Sequence, residues 1–547
     1  MMNSSKLIIL SNIRDQPLDK DINYLTFSKT MFHKFKDSYN VQYFFDIDPN
    51  INELQELERL ESNLFEEGRN KKNRWFVLPF KFIYKYLLTY NQFYNRLGKY
   101  LNDNGNIKSL EISSKISFIL NLVIDNISQA HNIKIIKNNK DFDNFSYRHS
   151  QFMGSDIPDH LNLDKYNIFL YIHALYLRFT NHNIFIFPSS FISKMPFKVN
   201  IFRISIFTIY SKIKRKFGFQ KNKKYLRYIP IIDFSEKPEI RYNLDKKIWS
   251  GYRNDQLELI QNIINVFFSA YKYEYIDNLK NKVTLYLKAS KTKKVILDET
   301  IDSFRRLICL ICRENSISIE FTPHGIIDED LQFPLTKNQN YSNKYIPDIL
   351  TWNSESATYL SNKGLKCRPI SYPLALYPYK PDDKKDILVM LSYGDRVNLN
   401  AFEEYIIDII PLAKDKNYSI DWKIHKNIFE DSNISMKQQK ENIENEYNVN
   451  INLIPHDINA SSILKNYKTI IFTTWTTGIY EAAMLNIPFV IYTKENETIR
   501  ALESISIPVA ENIHHLYQLI GDSDVRYLNQ IKESLTKNLS LSSYLSN

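Results

Sequence analysis

The stretch TIIFTTWTTGIYEAAMLNIPFVIYT (469–493) decides the fold of this chain. Ile470, Ile471 and Phe472 form a β-branched and aromatic run, which reads as a buried strand. Four threonines around Trp475 follow, then Gly478, then a short apolar helix carrying Glu481, and Pro488 opens a second apolar run. Strand, polar turn, helix and strand make a βαβ unit, whose first turn is crowded with hydroxyls. Unbonded backbone N–H groups at the start of a helix, with threonine hydroxyls beside them, suit an anion such as a diester phosphate. Glu481, about one turn in, is placed to accept two hydrogen bonds from a ribose diol. The plainer alternative is an ordinary αβ turn with a hydroxyl N-cap.

The same alternation continues on both sides. Strands are expected at 387–393, 419–425, 451–455, 469–474 and 488–493, and helices at 397–414, 435–447, 459–466, around Glu481 and at 511–520. Strands alternating with helices imply a mostly parallel, doubly wound sheet over 387–547. Upstream, 300–313 reads as a helix, 317–325 as a strand ending in a turn, 348–352 as a strand, 354–362 as a helix ending at Gly364, and 368–373 as a strand. The segment YPYKPDDKK then reads as a linker, placed at 376–386. Strands at 6–12, 41–47 and 183–189 and helices at 75–102 and 109–126 extend the pattern towards the N-terminus. The expected fold is therefore α/β: two Rossmann-like, doubly wound domains facing a cleft. The first covers 1–375 with a largely helical insertion at roughly 60–290, and the second covers 387–547.

Composition bounds the function. At 547 residues the chain exceeds one ordinary domain, and a formal charge of +10 favours anionic partners. Three cysteines do not make a disulfide framework; Cys309 and Cys312 lie in the apolar run LICLIC, and core packing is the expected role. The run KLIIL near the N-terminus is too short for a signal peptide, and no apolar stretch approaches roughly 18 residues. The expected location is cytoplasmic. Residues 203–228 mix aromatics with eight Lys and Arg between Lys212 and Arg227, a pattern suited to an anionic membrane surface at the inner face, or to a solvated basic helix.

Ligands of doubly wound sheets sit beyond the carboxyl ends of strands. In the C-terminal part those positions carry Gly394 and Arg396, then Lys423, His425 and Lys426, then Thr473, Thr474, Thr476 and Thr477. In the N-terminal part they carry Pro323-His324-Gly325 and Asp298-Glu299. His324 beside a flexible glycine suits an exposed base, and Asp298 equally suits an N-cap. Phosphate-loop, dinucleotide-fingerprint and nucleophile-elbow patterns are absent from the sequence. No D-x-D pair stands where it would hold a metal, so metal-independent chemistry without a cofactor is expected.

Three places resemble the two-Rossmann-domain (GT-B) glycosyltransferases of bacterial surface polysaccharide synthesis. They are ISIEFTPHG (317–325) with Tyr345-Ile346-Pro347-Asp348 and T-W-N-S-E, then K-I-H-K (423–426), then T-T-W-T-T-G-I-Y-E-A-A-M-L-N-I-P. K-I-H-K looks like the K-x-H-P of bacterial sialyltransferases and Kdo transferases, with Lys426 in place of proline; the third looks like a donor-phosphate signature ending in Glu-Ala. The resemblance spans roughly residues 295–495. It implies a nucleotide-sugar donor, CMP-linked sialic acid or Kdo favoured, held by Lys423, His425, the threonines and Glu481, and a glycan or glycolipid acceptor. It implies His324 as base, with Asp298 or Glu299 as rivals. A CDP-glycerol-type polyol-phosphate transferase shares the H-G turn, and a nucleic-acid-binding protein would exploit the charge but lacks any recognisable stacking or helix-turn-helix pattern.

The base assignment can be tested directly. His324→Ala is expected to abolish transfer while nucleotide binding survives, and near-normal turnover in that variant would refute it.

Overall fold

The computed structural model describes residues 5–10, 16–27, 29–51, 53–112, 118–137, 184–186, 241–270, 273–289, 291–297, 303–321, 348–362, 366–372, 385–391, 401–416, 418–424, 440–441, 444–446, 450–455, 458, 460–476, 478–492, 505, 507–510, 512–520 and 525–539. Within them the chain is α/β, and its strands form three sheets in which every pairing is parallel.

The first sheet contains β1 (Lys6–Leu10), β2 (Asn23–Thr26), β3 (Asn40–Tyr43), β4 (Ser109–Ile112) and β5 (Lys134–Lys137) in the order β3-β2-β1-β4-β5. The order reverses beside β1, so crossovers lie on opposite faces. Helix α1 (Lys29–Phe35) packs Met31 with Leu10, Tyr24 and Val41, whereas α4 (Phe118–His131) packs Ile119, Val123 and Ile127 in the core that holds Leu7, Ile9 and Leu110. Residues 109–112, expected to begin a helix, instead form β4. Leu110 and Ile112 alternate inward between Ser109 and Glu111, a period of two, and the true helix starts at Phe118.

The second sheet runs β10 (Cys367–Pro369), β9 (Asp348–Thr351), β8 (Ser318–Phe321), β7 (Lys294–Leu297), β6 (Ile184–Ile186), with no reversal. Right-handed crossovers then all fall on one face. Accordingly α7 (Ser303–Glu314) and α8 (Ser354–Asn362) both pack into the core that holds Val295, Leu297 and Ile349. The opposite face, with Ile296 and Leu350, belongs to a core shared with the C-terminal part, and among the described residues no crossover helix of this sheet packs there.

The third sheet has the order β13-β12-β11-β14-β15-β16, from β11 (Lys385–Leu391), β12 (Ile420–Ile424), β13 (Asn452–Ile454), β14 (Tyr467–Phe472), β15 (Phe489–Tyr492) and β16 (Val509–Ala510). Its central strands are near-continuous apolar runs, as sheets covered on both faces require. Helices α9 (Ala401–Lys416) and α12 (Ile513–Ile520) cover one face; the short α10 (Ala460–Ile463), α11 (Gly478–Met484) and α13 (Arg526–Thr536) cover the other. The doubly wound expectation therefore holds for the first and third sheets. The N-terminal part differs in carrying a middle sheet as well, and β4, β5 and β6 fall within the 60–290 stretch expected to be largely helical.

The remaining helices join the first two sheets. These are α2 (Glu53–Asn70), α3 (Phe80–Asp103), α5 (Asn254–Ala270) and α6 (Tyr273–Ala289), which share one apolar core with α7. Residues 241–253 are strapped onto α2: the buried Glu67 carboxylate accepts from the Trp249 indole at 2.9 Å and from the Asp245 amide at 3.1 Å. Between α2 and α7 lies a buried ion pair. Arg306 Nη2 is 2.7 Å from Glu61 Oε1, and its guanidinium stacks 3.9 Å from the Phe80 ring centre. Burial pushes the Glu61 carboxyl up, and the Arg306 charge opposes that push.

Removing one partner of such a pair strands the other charge in an apolar core. Glu61→Ala is expected to cost about 3–5 kcal/mol in urea unfolding. A loss below about 1 kcal/mol would show that Arg306 finds another counter-charge.

Candidate functional site

The order of the third sheet reverses between β11 and β14, which are hydrogen-bonded neighbours with Met390 opposite Phe472. The chain leaving β11 leads to α9, which packs Tyr405, Ile406 and Ile409 in the core of Val389 and Leu391. The chain leaving β14 leads to α11, which packs Ile479, Ala482 and Ala483 in the core of Leu388, Ile470 and Phe472. Exits that diverge to opposite faces leave a crevice between them at the carboxyl edge. The threonine turn follows β14 at that edge.

Thr473 anchors that turn. Its amide and its hydroxyl both donate to the Met390 carbonyl, at 3.2 and 3.3 Å, and its own carbonyl accepts from the Tyr405 hydroxyl at 3.2 Å. The Thr473 hydroxyl thus gives its proton to the neighbouring strand. Thr474 is buried and Thr476 is half-buried; the Thr476 carbonyl accepts the Ile479 amide at 3.0 Å, which starts α11. Gly478 is required by space: a Cβ there would lie 2.8 Å from Phe472 Cε1, so the helix could not begin so close over the ring.

Glu481 is 5% exposed and lies in the first turn of α11. Its Oε1 accepts a long hydrogen bond, 3.4 Å, from the hydroxyl of Tyr372, which follows β10 of the middle sheet. Burial and then the Glu481 charge push the Tyr372 phenol well above its ordinary value. Beside it, the Tyr480 hydroxyl accepts from Asn353 Nδ2 at 3.2 Å. Asn353 stands just past β9 and caps α8, its Oδ1 accepting the Ser356 amide at 2.7 Å. The turn after β9 therefore abuts the helix after β14, and the carboxyl edges of two sheets meet at this place.

Lys423 is buried in β12, opposite Met390 in register, two strands and about 10 Å from Phe472. Its ammonium donates to the Pro455 carbonyl at 2.7 Å. Gly394, Arg396, His425, Lys426, Thr477, Asp298, Glu299 and His324 lie outside the described residues. By position in the chain they follow the ends of β11, β12, β14, β7 and β8. Among the described residues, no group of three His, Cys, Asp or Glu gathers to hold a metal ion, and no helix is long and apolar enough to cross a membrane. Cys309 and Cys312 are free and buried in the core, as expected for packing.

Sequence reasoning missed Asn353, Tyr372 and Tyr480. T-W-N-S-E and Y-E-A-A were both noticed, but which partners they would find depends on how the two sheets dock.

No protein-family model matches the chain, and no curated protein does. Solved structures with a similar outline include the UDP-GlcNAc 2-epimerase of Methanocaldococcus jannaschii, at 13% identity over 47% of this chain and 79% of that one, with a TM-score of 0.33. The UDP-N-acetylglucosamine 2-epimerase of Rickettsia bellii is 17% identical over 50% and 79%, with a TM-score of 0.34. The glycosyltransferase SnogD of Streptomyces nogalater is 11% identical over 51% and 79%, also at 0.34.

Gly478→Ala is expected to destabilise the chain by about 1–3 kcal/mol, because either α11 or the Phe472 ring must shift. An unchanged thermal midpoint would show that α11 has slack at its start.

Proposed function

We propose that the chain is a metal-independent glycosyltransferase of the GT-B type, moving a sugar from a nucleotide-activated donor to a bacterial surface glycan such as capsule, O-antigen or lipooligosaccharide. One observation carries this reading. The helix that follows the hydroxyl-rich turn, at the reversal point of the third sheet, lies against the turn after β9 of the middle sheet, through Tyr480 and Asn353. A donor held at the turn would stand beside the edge from which the base is expected.

In this reading the turn amides and the hydroxyls of Thr474, Thr476 and Thr477 hold the donor phosphate, with Thr473 fixing the turn from behind. Lys423, His425 and Lys426 supply positive charge, Gly394 and Arg396 line the opposite lip, and Glu481 meets the ribose. A CMP-sugar such as sialic acid or Kdo is the favoured donor, on the strength of K-I-H-K. The acceptor oxygen attacks the anomeric carbon as the bond to the nucleotide phosphate breaks, and the nucleotide leaves with the bonding electrons. Amides and cations stabilise the charge that builds on the leaving phosphate. The acceptor proton passes to His324, with Asp298 and Glu299 as the rival bases. Residues 203–228 would bring the enzyme to an anionic membrane at the inner face of the cell, where a lipid-linked acceptor is presented.

A thermal-shift panel of CMP, CDP, UDP and GDP tests the reading, since a ligand bound only by the folded state raises its midpoint. CMP is expected to give the largest rise, and Thr474→Val with Thr476→Val to remove most of it. No shift with any of the four nucleotides would overturn the proposal.

A further inference from the structure

We infer that Tyr372 and Asn353 are positioning residues for the donor turn: the middle sheet grips α11 through its adjacent residues Glu481 and Tyr480 and so sets how the threonine turn is presented. The inference rests on the donor-site reading above and adds two residues to it.

Helix α11 needs such a grip. It has seven residues, too few to hold its own direction, because isolated helices of that length are marginal in water. Its start is fixed on one side by contact with Phe472, which belongs to its own sheet. The other side is held from outside, by the Tyr372 hydroxyl on Glu481 at 3.4 Å and by Asn353 Nδ2 on Tyr480 at 3.2 Å.

Both gripping groups are themselves rigid. Asn353 is locked as the cap of α8, and its carbonyl accepts the Thr351 hydroxyl at 2.8 Å. Tyr372 is wedged edge-on between Trp352, at 5.2 Å between ring centres, and Tyr480, at 5.7 Å. Its amide also donates to the Leu535 carbonyl at 3.0 Å, tying it to α13. All four side chains are buried, where a bond to a charged carboxylate is worth more than at the surface. A carboxylate whose direction is set by Tyr372 meets a ribose diol in one orientation instead of several, so the loss of rotamer freedom on binding is already made.

Tyr372→Phe keeps the ring and deletes only the hydroxyl, so it separates the grip from the packing. Three measurements are made on the full chain, with circular dichroism to confirm the fold. Hydrogen–deuterium exchange of the 473–484 segment, without ligand, is expected to quicken by about tenfold or more. CMP affinity by calorimetry is expected to fall about tenfold. Adding Tyr372→Phe to Glu481→Gln should cost no further affinity, because the tyrosine acts through that carboxylate. Unchanged exchange in Tyr372→Phe would overturn the grip. Quickened exchange with unchanged CMP affinity, or fully additive losses in the double variant, would overturn the positioning role. Quickened exchange in a protein whose parent binds no nucleotide would sink the donor reading and the positioning role, leaving only a structural clamp.

Discussion

At the reversal of strand order in the third sheet, a single backbone carbonyl, that of Met390, accepts both the amide and the hydroxyl of Thr473. This pair of hydrogen bonds to the neighbouring strand fixes where β14 ends. The chain then has five residues, 473–477, in which to climb over the edge before α11 begins at Gly478. The continuation of β11 leads to α9 on the opposite face, so the two chains part at this edge. The crevice is a consequence of connectivity, and the residues beside it inherit their roles from the strand ends they follow.

The middle sheet gives the molecule its coherence. Strands laid down in sequential order can be wound on one face alone, so the second face must be covered by something else. Here that face shares a core with the third sheet and with α13. Helix α13 closes the arrangement: its Tyr527 hydroxyl bridges the amide and carbonyl of Phe489, both at 2.9 Å, while Ser534 bonds Glu355 of α8. The first sheet is joined to the other face of the middle sheet by a continuous apolar core and by the Arg306–Glu61 pair. A displacement of the middle sheet would therefore be felt at α11, through Asn353 and Tyr372, before it reached the threonine turn.

Much of this was legible in the sequence, and the failures have causes. The strands of the third sheet read clearly because buried parallel strands are long apolar runs bounded by turn residues, and the helix expected at 354–362, ahead of Gly364, spans those residues. Residues 109–126 were misread because SLEI is only four residues, and the apolar residues after it dominate any helical window. NYLT and KIIK were passed over for the same reason of length. The threonine turn was found, but not that Thr473 bonds the neighbouring strand, because one threonine looks like the next in sequence. Tyr372 and Asn353 lay beyond reach, since their partners are 109 and 127 residues away.

Charge within the sheets is matched inside the fold. At the amino edge of the third sheet Asp421 is buried, and burial alone would raise its carboxyl. The Lys385 ammonium, the Tyr467 hydroxyl and the Asn452 amide, each at 2.6 Å, outweigh that and hold it below its ordinary value. The stability this adds is present above the ordinary carboxylate range and fades as pH falls through the lowered value. Asp386 is held low in the same way, by Lys468 and Ser419, and in the middle sheet Lys294 meets Glu320 at 2.6 Å. Acids on that edge are matched within the fold. Towards the carboxyl end of β12, the buried Lys423 ammonium gives one hydrogen bond to the Pro455 carbonyl, so a donor taken out of water is satisfied by the neighbouring chain.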